Sequence, residues 1–128
     1  MTDGDVRSKS VEARCRCGLV RLSIAYPPVE ITECNCLLYR RYGVLWAYYA
    51  LRDVEPPAAS LTETYLWNDR SIAFHRCVKC GCVTHWSAVD PTRDRLGMNA
   101  RLLPSEATCA ATVVLLDGNH RTISCHRG

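Results

Sequence analysis

The sequence predicts an all-β domain, and three observations support this. Apolar and polar residues alternate over 20–26, as in a half-buried strand. The stretch 44–51 is apolar throughout and rich in β-favouring residues, which predicts a strand covered on both faces. No segment shows the 3.6-residue period of an amphipathic helix. We therefore expect many short, mostly antiparallel strands.

Further strands are predicted along the rest of the chain, at 64–67, 71–75, 83–89, 95–102, 112–116 and 121–125. Residues 117–119 (Asp-Gly-Asn) form a hairpin turn signal between the last two of these strands. Residues 1–10 are polar and are predicted to be a flexible N-terminal leader. Residues 11–128 are predicted to form a single zinc-binding β domain, for reasons given below.

Charge and hydropathy exclude several classes of protein. The formal net charge is +3, and no run of basic residues is present, so a nucleic-acid partner is not expected. No apolar run approaches the roughly 18 residues of a membrane span. The N-terminal residues lack the apolar core of a secretory signal. We expect a protein without membrane association in the cytoplasm.

The nine cysteines are the unusual feature of the composition. An odd number would leave one thiol outside a complete disulfide framework. In a reducing compartment, clustered cysteines more often bind metals or take part in chemistry. The sequence therefore favours a metal-binding protein over a disulfide scaffold.

Two cysteine pairs predict a structural zinc site. Cys15 and Cys17 form a CxCG sequence, and Cys77 and Cys80 form a CxxCG sequence. Zinc favours four tetrahedral ligands, and glycine after the second cysteine lets the backbone turn beneath the metal. The four thiolates are predicted to hold one zinc ion; the alternative is that they are ordinary buried or free thiols.

A third pair, Cys34 and Cys36, is not followed by glycine. Two thiolates leave zinc under-coordinated, which predicts either an open, reactive site or no site. The candidates to complete such a site are Tyr39, His75, Cys82 and His85. Cys109 and Cys125 have no paired neighbours and are interpreted as structural.

In this order along the chain, these motifs resemble the glutathione-dependent formaldehyde-activating enzyme family, which also contains centromere protein V. The matching stretches are CRCG at 15–18, CNC at 34–36, RR at 40–41, WAYY at 46–49, the segment 67–74, CVKCGCVTHW at 77–86 and 99–102. The resemblance covers roughly residues 12–125, nearly the whole chain.

The resemblance implies an Mss4-like fold of coiled antiparallel sheets, with a structural zinc on the first and third cysteine pairs. It also implies a catalytic zinc on a C-x-C-S-x-C motif, and the condensation of glutathione with formaldehyde, classed as carbon–sulfur lyase chemistry. This chain has Leu37 and Tyr39 where that motif has serine and cysteine. The second site is therefore degenerate.

The family reaction adds a thiol to a carbonyl, and zinc can activate the thiol or polarise the aldehyde. Under this hypothesis Cys34 and Cys36 form the catalytic metal centre, and Arg40, Arg41 or Arg101 pairs with substrate carboxylates. Four aromatic residues are candidates for the pocket wall or, alternatively, the core: Trp46, Tyr48, Tyr49 and Trp67. The competing function is a catalytically silent zinc module that binds a thiol, a small anion or a protein.

Overall fold

The structure is a computed structural model that describes residues 10–34, 37–66 and 70–116. Ten strands dominate it: β1 (Val11–Arg14), β2 (Arg21–Ile24), β3 (Glu30–Cys34), β4 (Trp46–Tyr49), β5 (Val54–Glu55), β6 (Thr62–Leu66), β7 (Ile72–Cys77), β8 (Val83–Ala88), β9 (Leu96–Asn99) and β10 (Thr112–Leu116). Two short helices are present, α1 (Leu37–Tyr42) and α2 (Ser105–Thr108), with 3₁₀ turns at Leu51–Asp53, Ala59–Leu61 and Ala100–Leu102.

The strands form two sheets. The smaller sheet has the order β1-β2-β5, and the larger has the order β10-β3-β4-β9-β8-β7-β6. All pairings are antiparallel except one, in which β10 runs parallel to β3, with Thr112 opposite Glu30 and Leu116 opposite Cys34. Two strands that are distant in sequence thus lie side by side at one end of the larger sheet.

Strand β4 shows how the larger sheet is covered on both faces. Ala47 and Tyr49 belong to one core cluster, together with Leu22 and Ile24 from the smaller sheet. Trp46 belongs to a second cluster, which includes Tyr39 from α1. The smaller sheet therefore packs on one face and α1 on the other, because successive side chains of a strand point to opposite sides.

The predicted all-β fold class is confirmed, as is the mainly antiparallel pairing. Five strands and helices were not predicted, namely β1, β3, β5, α1 and α2, and the parallel β3–β10 pair is also a departure. The six residues of α1 are too few to show a helical period. Residues 1–9 of the predicted 1–10 leader, the turn at 117–119 and the strand at 121–125 lie outside the described residues.

Candidate metal centre

The first cysteine pair lies in a tight turn that follows β1. The Gly18 amide donates to the Cys15 carbonyl at 3.1 Å, and the Cys15 amide donates to the Val20 carbonyl at 3.1 Å. Gly18 has φ +82°, and a Cβ there would meet nothing within 4 Å. Glycine is therefore required at position 18 for its backbone conformation and not for space.

The second pair repeats this arrangement where β7 turns into β8. The Gly81 amide donates to the Cys77 carbonyl at 3.0 Å, and the Cys77 amide donates to the Cys82 carbonyl at 2.9 Å. Gly81 has φ +80°. The glycine that follows each pair in the sequence thus allows the turn that aims both thiols of the pair to one side.

The two turns bring four sulfur atoms together. The Sγ atoms of Cys15, Cys17, Cys77 and Cys80 all lie within 4.8 Å of one another, and none of the four is in a disulfide. The Cys15–Cys17 and Cys17–Cys77 sulfur distances are both 3.6 Å. A tetrahedral zinc with Zn–S bonds of about 2.3 Å requires sulfurs about 3.8 Å apart. The four thiols are therefore spaced as zinc ligands.

Backbone amides point at two of these sulfurs. Val20 donates to the Cys15 Sγ at 3.3 Å, and Lys79 and Cys80 donate to the Cys77 Sγ at 3.3 and 3.4 Å. Such hydrogen bonds stabilise thiolate charge and orient metal ligands. Cys15 and Cys77 are buried, Cys80 is half-buried and Cys17 is exposed, so the cluster lies at the edge of the core.

Neighbouring groups in the cluster shift the pKa values of Cys17 and Cys80 in opposite directions. Burial would raise the pKa of Cys80, but hydrogen bonds, first from the backbone at Cys82 and Cys17, lower it to about 6. The backbone at Leu19 lowers the pKa of Cys17, yet burial and the neighbouring thiols together raise it to about 11. Four thiolates this close together repel one another, and a bound divalent metal ion compensates their negative charge. The residues present therefore fit a metal ion.

Only part of the predicted second site lies within the described residues. Cys34 ends β3 and is buried, whereas Cys36 lies outside the described residues. Tyr39 is 1% exposed, and its ring packs edge-on against Trp46 at 5.6 Å and Phe74 at 5.8 Å. Position 39 is thus occupied by a core aromatic side chain in the same cluster as Cys34. The catalytic role of Cys34 and Cys36 stays a prediction.

The two histidines that were candidates to complete that site have other partners. His75 contacts Thr62 Oγ1 through Nδ1 at 3.1 Å and Ser87 Oγ through Nε2 at 2.8 Å. His85 contacts Thr84 Oγ1 through Nδ1 at 2.8 Å, and its ring stacks on His75 at 4.1 Å. Burial, followed by the charge of His75, lowers the pKa of His85 to about 3. His85 is therefore a neutral core residue at physiological pH.

The arginines proposed to bind substrate do not converge. Arg41 lines a cleft of about 290 Å³ that also contains Cys82 and His75. Arg101 lines a different cleft, of about 300 Å³, beside Ile31. Arg40 is exposed on α1.

The predicted wall aromatics do not all line one cleft. Trp46 and Tyr49 are buried core residues, Tyr48 is half-buried, and Trp67 lies outside the described residues. A cleft of about 550 Å³ is lined by Tyr48 and Tyr49 together with Arg52 and Arg95, and no sequence motif singled out these two arginines.

The comparisons with known proteins add a likeness of fold. A crystal structure of a Rhodobacter sphaeroides protein, determined as a structural genomics target, matches with a TM-score of 0.63. The two sequences are 21% identical, and the match covers 80% of this chain and 99% of that one. No family model matches the sequence, and no curated protein matches it. Within the described part of the chain, no helix is long and apolar enough to cross a membrane.

Proposed function

We propose that this chain is a zinc protein of the glutathione-dependent formaldehyde-activating type, which adds glutathione or a related thiol to a small aldehyde. The observation that carries the proposal is the convergence of two cysteine turns, 60 residues apart, on one four-sulfur cluster. These are the pairs to which the family resemblance assigns the structural zinc. The match to the Rhodobacter structure is compatible with this assignment and bears on the fold alone.

The metal at this cluster is proposed to be zinc in a structural role. Four thiolates are soft ligands in a tetrahedral arrangement, which suits zinc or an iron–sulfur centre, and the CxCG and CxxCG turns favour zinc. All four positions are filled by protein, so no position remains for water or substrate. The ion therefore stabilises the fold, and any chemistry belongs elsewhere in the molecule.

The proposed reaction needs no redox partner. A carbon–sulfur bond forms between the thiol sulfur and the aldehyde carbon, and the thiol proton ends on the aldehyde oxygen. We place Cys34 and Cys36 at this centre, where a bound zinc ion would supply thiol activation. Cys34 is buried at the end of β3, beside the aromatic cluster of Trp46 and Phe74.

A second candidate function is a catalytically silent zinc module that binds a thiol, a small anion or a protein. Tyr39 favours it, because its buried ring stands where the family motif has a third thiolate. A phenol is a poor zinc ligand at neutral pH, since it titrates near pH 10. The two functions therefore differ in whether the second cysteine pair holds metal.

One experiment separates them. Zinc per chain is measured by plasma mass spectrometry in the wild type, in Cys34→Ser/Cys36→Ser and in the control Cys109→Ser. Cys109 is an exposed thiol that directly follows α2. In parallel, NMR follows the rate at which glutathione and formaldehyde form their adduct.

Two zinc ions in the wild type and one in the double variant, with loss of rate enhancement, would support the enzyme. One zinc ion in all three proteins, without rate enhancement, would support the catalytically silent binding module. Absence of zinc from all three would contradict both.

A further inference from the structure

One cleft in the described part of the chain contains none of the cysteines considered as metal ligands. It has a volume of about 550 Å³, within the usual range for small-molecule sites. Its walls include Glu30 at the start of β3, Tyr48 near the end of β4 and Arg95 just before β9. Cys34 is at the other end of β3, about 13 Å away along the strand. The cleft is thus separate from the proposed thiol-addition centre.

Arg95 is the cation of this cleft. Its guanidinium lies 4.2 Å from the centre of the Tyr48 ring, a cation–π arrangement. Within residues 10–34, 37–66 and 70–116, no atom accepts a hydrogen bond from its buried Nε, and no carboxylate forms an ion pair with it. Since no carboxylate of these residues neutralises it, the half-buried Arg95 charge is available to an external anion, and a carboxylate matches the planar geometry of a guanidinium.

Two of the other charged groups in the cleft compensate each other. Asp94 accepts a hydrogen bond from the Leu51 amide at 2.7 Å and faces Arg52 at 3.7 Å. Asp53 and Glu30 are the remaining carboxylates on the wall. Asp53 is half-buried, and no described residue forms a salt bridge with it. The cleft therefore offers one uncompensated cation and uncompensated acids together.

The rest of the wall is aromatic and apolar. The rings of Tyr26 and Tyr49 are 5.3 Å apart, and the Tyr49 hydroxyl donates to the Tyr26 carbonyl at 3.1 Å. Asp53 lines the same cleft as these rings, and burial, then Tyr26 and Asp53, raises the pKa of Tyr49. Pro28 and Val29 complete the apolar surface.

We propose that this cleft binds a small zwitterion with an apolar side chain, such as a free aromatic amino acid. The carboxylate pairs with Arg95, the ammonium group with Asp53, and the side chain contacts Tyr26 and Tyr48. A simple anion would meet the uncompensated carboxylates, and a simple cation would meet Arg95, so only a ligand bearing both charges matches the wall. This inference does not depend on the thiol chemistry proposed above.

The test is calorimetric titration of the zinc-loaded full chain with L-phenylalanine, which contains no thiol. We expect saturable binding with a Kd on the order of 1 mM or tighter. Arg95→Gln should weaken binding at least about tenfold, since it removes a charge-assisted pair. Arg93→Gln is the matched control: Arg93 is two positions away, and its guanidinium lies over Trp86 at 5.3 Å. It should bind as the wild type does.

Ligand analogues make the test independent of how well Arg95→Gln folds. 3-Phenylpropionate lacks the ammonium group, and 2-phenylethylamine lacks the carboxylate, so each should bind about tenfold more weakly than phenylalanine. Asp53→Asn should weaken binding of phenylalanine but not of 3-phenylpropionate. Absence of saturation with phenylalanine, equal binding by Arg95→Gln, or equal binding of either analogue would overturn the proposal.

Discussion

The metal cluster should determine whether this domain remains folded, because it ties together two distant parts of the chain. The perturbation is Cys15→Ser/Cys17→Ser, which removes the N-terminal half of the cluster. Cys17 and Cys77 are 60 residues apart. Closing a loop of that length in the unfolded chain corresponds to about 4 kcal/mol of stabilisation in the loop-entropy treatment.

This value is a lower bound on the loss, because metal–ligand bonding adds to it. A domain of this size has roughly 5–15 kcal/mol of total stability, so the double variant should be marginal or unfolded. With a urea m-value of about 2 kcal/mol/M, the unfolding midpoint should fall by about 2 M or more.

The assay is urea unfolding followed by tryptophan fluorescence and circular dichroism, with zinc content measured on the same samples. Cys109→Ser is the control, since that thiol is exposed and donates to the Glu106 carbonyl at 3.5 Å, outside the four-sulfur cluster. A strong chelator should lower the wild-type midpoint towards that of the double variant. If the double variant, the control and the chelated wild type all unfold at one urea concentration, the cluster does not stabilise the fold.

Three further predictions concern packing, pH and the second site. Gly97→Ala should lower the free energy of unfolding by about 3 kcal/mol, roughly 10 °C in Tm by calorimetry, because its Cβ would lie 2.0 Å from Nε1 of the fully buried Trp86. Adding Trp86→Phe to this variant should relieve most of the loss. An unchanged Tm in Gly97→Ala would contradict this packing. His85 has a folded pKa of about 3, below the unfolded value of about 6.5, so the unfolded state binds the extra proton and stability falls as pH drops below 6.5. Between pH 8 and pH 5 the wild type should lose about 2 kcal/mol more than His85→Gln in urea unfolding, and equal losses would refute this. Tyr39→Cys should lower stability by about 3 kcal/mol through the cavity it leaves, and the variant should hold two zinc ions per chain. A count of one zinc ion in this variant would argue against a metal at Cys34 and Cys36.

The four-cysteine cluster could be predicted from sequence because its information is local. Each half is a short turn in which a glycine with positive φ follows the second cysteine, and that pattern is visible in the residues themselves. The strand over 44–51 was also predictable, since β4 is covered on both faces and reads as a continuous apolar run.

Other features depend on contacts that a single sequence does not display. Strand β10 pairs in parallel with β3, about 80 positions earlier, and nothing within either segment specifies that partner. Helix α1 is too short for periodicity, and it forms because Tyr39 packs into the aromatic cluster. Arg95 was missed for the same reason: one arginine before a strand carries no signal until Tyr48 is placed beneath it.

The separation of the two cysteine turns also has a consequence for biosynthesis. At about 5–20 residues per second, the 60 residues between Cys17 and Cys77 take roughly 3–12 s to translate. Through that interval Cys15 and Cys17 emerge from the ribosome as two thiols with no completing partners. They must escape oxidation and capture by competing metals until the second turn appears, so the cellular redox state and zinc supply during synthesis act directly on the yield of native protein.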